Sequence, residues 1–305
     1  MPLLTTKETQ DIIIEEVSRT SGSLQIISAF CKLDTIKNLI DKNVNAEVSS
    51  KKLLVRLRLE DLLTKASDID LYEYCKSNGW ELYIRFDLHA KTYIFDKKRC
   101  VLGSSNLTGR GFGLGIVGNV EFSGIFDVDE NDIAKIEMLF DNSLKVDDEL
   151  FLQLKEEYEK AKSQLTPNTN IQNCTWSKKV YDKLVPNLKV MFSYDFPSTS
   201  KPIFDDPDSF AFMDCPFPAS EEAIRNAFMH CNCYLWLKKT LKGNNNCLYF
   251  GSATKLLHDA MFSDPKPYRK DIKEYLSNLL SWIVFLQIDD IKIDKPNYSQ
   301  RIRLI

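Results

Sequence analysis

Helical and extended segments alternate from residue 7 to residue 86, and this alternation narrows the choice of folds more than any other feature. KETQDIIIEEVSRT (7–20) carries apolar residues at helical spacing, and LQIISAF (24–30) is a short apolar run suited to a buried strand. LDTIKNLIDKN (33–43) reads as a second helix and KLLVRLRLE (52–60) as a strand. ASDIDLYEYCKSNG (66–79) reads as a helix closed by glycine, and WELYIRF (80–86) as a strand. Such a chain is expected to form an α/β sheet covered by helices.

The rhythm then changes. LHAKTYIF (88–95), the turn DKK and RCVLGSS (99–105) predict a β-hairpin. A glycine-rich loop, TGRGFGLG (108–115), a strand, NVEFSGIF (119–126), and a capped helix, DENDIAKIEMLFDNS (129–143), follow. DDELFLQLKEEYEKAKSQ (147–164) reads as an exposed charged helix leading into the polar LTPNTNIQNC (165–174). That polar stretch divides the chain into domains 1–165 and 166–305. The second part predicts a helix over 177–188, a strand over 189–196 and a proline-rich loop over 197–209. A capped helix over 220–231, strand–turn–helix over 246–262 and helix-then-strand over 268–288 complete it.

Forty Lys and Arg stand against 43 Asp and Glu in 305 residues. This balance lacks the basic footprint of a dedicated nucleic-acid binder, but it leaves room for a local basic cleft. The acids that follow the first apolar pair are unlike a secretory signal, and no apolar run approaches the roughly 18 residues of a membrane helix. Eight cysteines in a chain of this length predict reduced thiols and a cytoplasmic protein.

The hairpin holds the residues that point to chemistry. In a strand His89 and Lys91 share one face, and the returning Gly103-Ser104 end brings Asn106 beside them. Imidazole can attack phosphorus or pass a proton near neutral pH, while lysine and asparagine hold non-bridging oxygens as charge builds. No metal and no cofactor is required, because no ring of carboxylates accompanies the set.

The spacing H-x-K-x4-D-x6-G-S-x-N, filled by His89, Lys91, Asp96, Gly103, Ser104 and Asn106, resembles the signature of the phospholipase D superfamily. Asn119-Val120-Glu121 is similar to the N-x-E element downstream of the motif in the nuclease members. The resemblance covers roughly residues 5–145. It implies a phospholipase D-like α-β-α sandwich with a mixed sheet, followed by a C-terminal α+β domain of no assignable type.

The resemblance also implies a mechanism. Two motifs meet at a twofold axis, one histidine forms a phosphohistidine, the other protonates the leaving oxygen, and water resolves the intermediate without a metal. Here His230 and His258 have no lysine two residues on, and Phe250-Gly251-Ser252-Ala253-Thr254 only faintly echoes the GSxN turn. A homodimer is therefore the simplest way to complete the site. The small nonspecific nucleases, the piRNA-pathway-like nucleases and the metal-independent restriction endonucleases of the superfamily share that arrangement, the last also with a separate C-terminal domain.

The resulting expectation is a nucleic-acid phosphodiesterase, an endonuclease with DNA preferred over RNA, in a restriction or defence role. Its C-terminal domain would select substrate or be a degenerate second repeat. The alternatives are a phospholipase or phosphatidyl transferase, and a non-catalytic binding protein. The expected catalytic set is His89, Lys91, Asp96, Ser104, Asn106 and Glu121, with Lys91, Asn106, Arg110 and Asn119 binding substrate. Several bland readings compete. Asp96 sits where a hairpin turn favours aspartate anyway. Glu121 either orients His89 or is a polar strand residue, and Arg110 either reaches phosphate or is a solvated loop residue. Arg56 and Arg58 share a strand face and either line a track for a nucleic-acid backbone or, as the preferred reading, blunt an edge strand. His230, Cys231 and Cys233 lack paired zinc-knuckle spacing and are read as thiols beside a histidine.

Overall fold

The computed structural model describes residues 3–167, 169–171, 174–184, 188–213, 215, 217–262, 266–296 and 298–305. It comprises two compact units, residues 1–180 and 181–305.

The first unit contains an eight-stranded mixed sheet of order β1-β7-β6-β5-β2-β3-β4-β8. Its strands are β1 (Leu3–Thr5), β2 (Ser23–Ser28), β3 (Ser50–Val55), β4 (Trp80–Ile84), β5 (Lys91–Phe95), β6 (Arg99–Gly103), β7 (Phe122–Asp127) and β8 (Leu144–Lys145). β2, β3 and β4 run parallel, and the other pairs are antiparallel. Alternation along the strands gives each face its helices. Ile27, Leu54, Ile94 and Cys100 pack with Phe140 of α5 (Glu130–Asp141) on one face. On the same side, Gln25 and Lys52 reach Glu137 of that helix at 2.9 and 3.1 Å. The alternate positions face α1 (Thr6–Arg19), whose Glu16 pairs with Arg99 at 3.3 Å. This is the α-β-α sandwich with a mixed sheet that the sequence predicts.

The local signals explain most of these elements. Thr5 and Glu8 cap α1 reciprocally, and Asp129 accepts the Asp132 N–H at 2.9 Å to start α5. The second expected helix is a short α2 (Leu33–Thr35) that continues as a π-helix over Ile36–Asp41. α3 (Leu59–Leu63), α4 (Leu71–Ser77) and α6 (Asp148–Ser163) complete the helices before residue 165.

One expectation is corrected in this unit. β3 lies between β2 and β4, so it is an interior strand, and Arg56 and Arg58 follow its end instead of blunting an edge. The first compact unit extends past the polar stretch, to residue 180. Trp176 is buried there with its indole N–H on the Leu57 carbonyl at 2.9 Å, and Ser177 bonds Glu157 through N–H and hydroxyl at 2.8 and 2.6 Å.

α7 (Lys178–Leu184) leads into the second unit, and the end of the helix expected over 177–188 falls partly on residues 185–187, outside the described residues. The second unit contains α8 (Glu221–His230), α9 (Asn232–Lys242), α10 (Phe250–Ala260) and α11 (Arg269–Phe285). Its antiparallel sheet has the order β10-β11-β9, built from β9 (Cys247–Tyr249), β10 (Ile291–Asp294) and β11 (Arg301–Leu304). Trp282 anchors the core, stacking on Phe228 at 5.9 Å while its indole N–H reaches the Thr199 carbonyl at 2.8 Å.

The expected strand over 189–196 does not form. Asp195 turns back to accept the Phe192 N–H at 2.7 Å, closing a 3₁₀ turn over Ser193–Asp195. β9 runs directly into α10 without a turn. The strand expected at the end of 268–288 is helix through Phe285, because Trp282 and Ile283 continue the buried stripe of Ile272, Leu276 and Leu279.

Candidate active site

The sheet ladder continues past the ends of the parallel strands. The Ala29 N–H donates to the Ala90 carbonyl at 3.2 Å, Arg56 N–H to Ala29 at 3.2 Å and Arg85 N–H to Val55 at 3.0 Å. The carboxyl ends of β2, β3 and β4 therefore stand beside the segment that enters β5, the position where open α/β sheets place ligands. An open cleft of about 460 Å³ lies there, lined by His89, Lys91, Gly103, Ser104 and Asn106 together with Ala90 and Leu102.

Lys91 is the first residue of β5, and His89 precedes the strand. The two share the cleft, although His89 lies outside the strand whose spacing predicts their common face. Lys91 is buried and its ammonium folds back to the His89 carbonyl at 2.5 Å. Burial, and then the Arg56 charge, lower the Lys91 pKa, while Glu121 acts to raise it. The His89 ring is exposed to the cleft, and its pKa is lowered by Lys91 first, then by partial burial, Arg56 and Arg58. Its imidazole is therefore neutral at neutral pH, with a lone pair available.

Asn106 is fixed by the segment that follows β2. Its Oδ1 accepts the Phe30 N–H at 3.1 Å, which orients the amide and leaves Nδ2 as the donor for the cleft. Gly111 packs against the Asn106 backbone, where an added Cβ would lie 3.1 Å from the Asn106 nitrogen. Gly103 has the same need for a bare Cα, since a Cβ there would meet the Phe122 carbonyl oxygen at 2.5 Å. These close approaches explain why a glycine ends β6 and why the following loop returns over the asparagine.

The N-x-E element is a latch. The Ser104 hydroxyl donates to Glu121, whose other oxygen accepts Asn119 Nδ2 at 2.9 Å. The Thr6 hydroxyl accepts the Glu121 N–H at 2.9 Å and donates to the Asn119 carbonyl at 3.1 Å. Glu121 thus holds Ser104 and the start of β7, and among the described residues it makes no hydrogen bond to His89. Asn119 is engaged in the latch and does not line the cleft. Arg110 is exposed in its loop and does not line the cleft either.

Asp96 sits at the opposite end of β5, a full strand away from the cleft. Asp96 and Lys97 both take positive φ, 52° and 55°, in a tight hairpin turn closed by the Lys98 N–H on the Phe95 carbonyl at 3.0 Å. Its carboxylate accepts the N–H groups of Ser21, Gly22 and Ser23 at 3.1, 2.6 and 2.9 Å. Partial burial pushes its pKa up, but these three N–H donors and Lys98 outweigh it and hold the carboxyl below its ordinary value. Asp96 ties the hairpin to the chain entering β2, and it does not touch the site.

Sequence reasoning undervalued Arg56 and Arg58. They flank Leu57, a buried non-glycine residue at φ 49°, a strained conformation that changes the chain direction just after β3. Arg56 lies over the Phe30 ring at 4.7 Å and bonds Asp61 through Nε at 2.9 Å, while Arg58 Nε donates to the Phe86 carbonyl at 2.6 Å. The available clue was two arginines following a buried parallel strand, a place that favours a ligand more than an edge.

The remaining histidines serve the second unit. The His230 ring packs against Tyr181, centroids 4.3 Å apart and tilted by 35°, with Nδ1 2.8 Å from the Asn226 carbonyl, and His258 lies 3.7 Å from Asp259. The FGSAT stretch is the first turn of α10, where the Thr254 hydroxyl donates to the Phe250 carbonyl at 2.8 Å. Cys231 and Cys233 are buried with their sulfurs 3.5 Å apart. Among the described residues no group of three or more His, Cys, Asp or Glu is placed to hold a metal ion.

Residues 12–144 match the family described as "Cardiolipin synthase, PLD-like domain". The first unit contains a PLD-like domain. The matched span includes every residue of the cleft and its latch from Asn119 to Glu121. Among solved structures, the phospholipase D family member Nuc from Salmonella typhimurium aligns with 48% of this chain and 97% of its own, at 16% identity and TM-score 0.38. NucT from Helicobacter pylori aligns with 46% and 91%, at 16% identity and TM-score 0.34. The phosphatidylserine synthase of Haemophilus influenzae Rd KW20 aligns with 54% and 44%, at 14% identity and TM-score 0.40. No curated protein matches the sequence significantly. Among the described residues, no helix is long and apolar enough to cross a membrane.

Proposed function

We propose that this protein is a phosphodiesterase that cleaves nucleic acid without a metal ion, through a phosphohistidine on His89. The observation that carries this reading is the convergence of a neutral imidazole, an ammonium and an oriented amide on one cleft, with Arg56 and Arg58, themselves paired to Asp61 and Glu60, close enough to act on the His89 charge. That set of groups suits a phosphodiester better than any neutral substrate. An imidazole nitrogen of His89 attacks phosphorus, the P–O ester bond breaks, and its electron pair leaves with the alkoxide. Lys91 and Asn106 Nδ2 hold the non-bridging oxygens. The second copy's His89 supplies the proton to the leaving oxygen and then takes one from the water that cleaves the phosphohistidine. The chain carries this set once, so the second copy completes the site.

DNA is the preferred substrate by the resemblance to the restriction-type nucleases, and the second unit positions it. A three-stranded antiparallel sheet with helices differs from the eight-stranded mixed sheet, which favours recognition over a degenerate repeat as its role. The decisive experiment is cleavage of plasmid DNA and of RNA in excess EDTA by the wild type and by His89→Ala. Cleavage that persists in EDTA and falls by about 10⁴-fold or more in the variant is expected, the scale set by removing a nucleophile. Activity that survives loss of His89 overturns the mechanism.

A lipid reading has one observation behind it, the cardiolipin synthase named in the matching family. Turnover of phosphatidylglycerol vesicles, with neither nucleic acid cleaved, would replace the nuclease reading with that one.

A further inference from the structure

The small sheet of the second unit has two unlike faces. Leu248, Ile291 and Ile302 are buried on the inner face. The register places the alternate residues on the outer face, with Lys292 opposite Arg303, Asp294 opposite Arg301, and Arg301 opposite Tyr249 on the other side. Three cationic side chains and one carboxylate therefore share this face, two positive charges in excess on a chain whose formal charge is −3.

The guanidinium groups are held in place. Asp294 accepts Nε and Nη2 of Arg301 at 2.9 and 2.8 Å, and Nη2 of Arg303 at 2.7 Å. Both arginines keep part of their surface in water, at 30% and 38% exposure. Arg303 Nε is buried with no acceptor among the described residues, so the carboxylate leaves a donor of the pair unmatched. Lys292 is exposed and makes no ion pair among the described residues. Tyr249 is 47% exposed at the edge of the same face.

A solvated sheet face needs only polar residues of mixed sign. This one presents two guanidinium groups fixed before any ligand arrives, with a lysine and an aromatic ring on the same face across three strands. The guanidinium N–H groups not spent on Asp294, with the Lys292 ammonium, can donate charge-assisted hydrogen bonds to phosphate oxygens, and an exposed ring on a sheet is a stacking surface for a base. We propose that this outer face, Lys292, Arg301, Arg303 and Tyr249, binds the phosphodiester backbone of the nucleic acid that the His89 site cleaves. The proposal rests on the nuclease reading above.

The test uses the full chain carrying His89→Ala, so that substrate survives, and fluorescein-labelled DNA about two helical turns long, as duplex and as single strand. Binding is followed by anisotropy across a salt series, with thermal melting to confirm that each variant is folded. Lys292→Glu is expected to weaken duplex binding about tenfold at physiological salt and to reduce the slope of log affinity on log salt by about one. Tyr249→Ala is expected to weaken single-strand binding about fivefold or more. Arg301→Lys, which keeps the charge and loses the fork, is expected to fall between Lys292→Glu and the parent.

Folded variants that bind both DNAs with the affinity and salt slope of the parent overturn the assignment of this face. Plasmid cleavage by the wild type is read separately. Cleavage with unaltered binding in the variants removes the face and leaves the nuclease reading standing. Absence of both cleavage and binding removes both.

Discussion

The two ends of β5 carry residues of one sequence signature but do different work. At the start of the strand, His89 and Lys91 line an open cleft, and the lysine ammonium reaches back to the histidine carbonyl at 2.5 Å. At its end, Asp96 spends its carboxylate on the backbone of Ser21, Gly22 and Ser23. The first end leaves its polar groups along the cleft, and the carboxylate at the second accepts three backbone N–H groups. A fixed spacing in sequence therefore mixes groups that line the cleft with groups that hold the strand in register. The N-x-E element divides in the same way, because Glu121 and Asn119 bond to each other and to Ser104.

The difference between the ends can be broken by substitution. The largest expected effect is at the cleft end. Lys91→Ala and Asn106→Ala should each lower kcat by about 10²–10³-fold with the fold retained, since each removes a donor to the phosphoryl oxygens. Single-turnover cleavage beside a denaturation curve checks this, and a fall in stability matching the fall in rate would count against it.

At the other end, Asp96→Ala should lower stability by about 1–2 kcal/mol, a partly exposed carboxylate losing its hydrogen bonds to backbone. Activity per folded molecule should stay near wild type. The pH dependence has a definite sign. The folded carboxyl titrates below its unfolded value of about 3.9, so its contribution is complete above that value and is lost as pH falls through the lower folded pKa. Urea unfolding of wild type and Asp96→Asn at neutral pH and near pH ~3 measures it, and the gap between the two proteins should narrow in acid.

The smallest expected effect concerns charge in the cleft. The His89 pKa is lowered below about 6.5, with Lys91 as the largest cause and Arg56 and Arg58 behind it. Lys91→Met should raise it more than Arg56→Gln does. Imidazole C–H resonances followed by NMR report this directly, and the chain has three histidines to assign. No movement of the His89 pKa in either variant would place these charges too far away to matter.

How much was legible in the sequence followed from how local each signal is. The alternation over 7–86 gave the sheet and its helices because strand and helix periodicity are carried by neighbours in the chain. The hairpin, its turn and the cap of α5 were readable for the same reason. The second unit was harder. The run that ends in Trp282-Ile-Val-Phe285 is β-branched and aromatic, and by propensity it reads as a strand, yet burial of Trp282 and Ile283 keeps it helical. α9, β10 and β11 were not expected at all, since short elements with mixed faces leave little periodicity to detect.

By itself the sequence determined which chemistry is on hand, namely one histidine, one lysine and one asparagine at motif spacing, with glycines where backbone must approach backbone. The tertiary structure decided which of the motif residues face the cleft. It brought Arg56 beside His89 by setting the ends of β2, β3 and β5 side by side, and it turned Asp96, Asn119 and Glu121 toward the protein. The physical reason is that hydrogen-bond partners far apart in sequence are chosen by the pairing order of the strands, and no local pattern encodes that order.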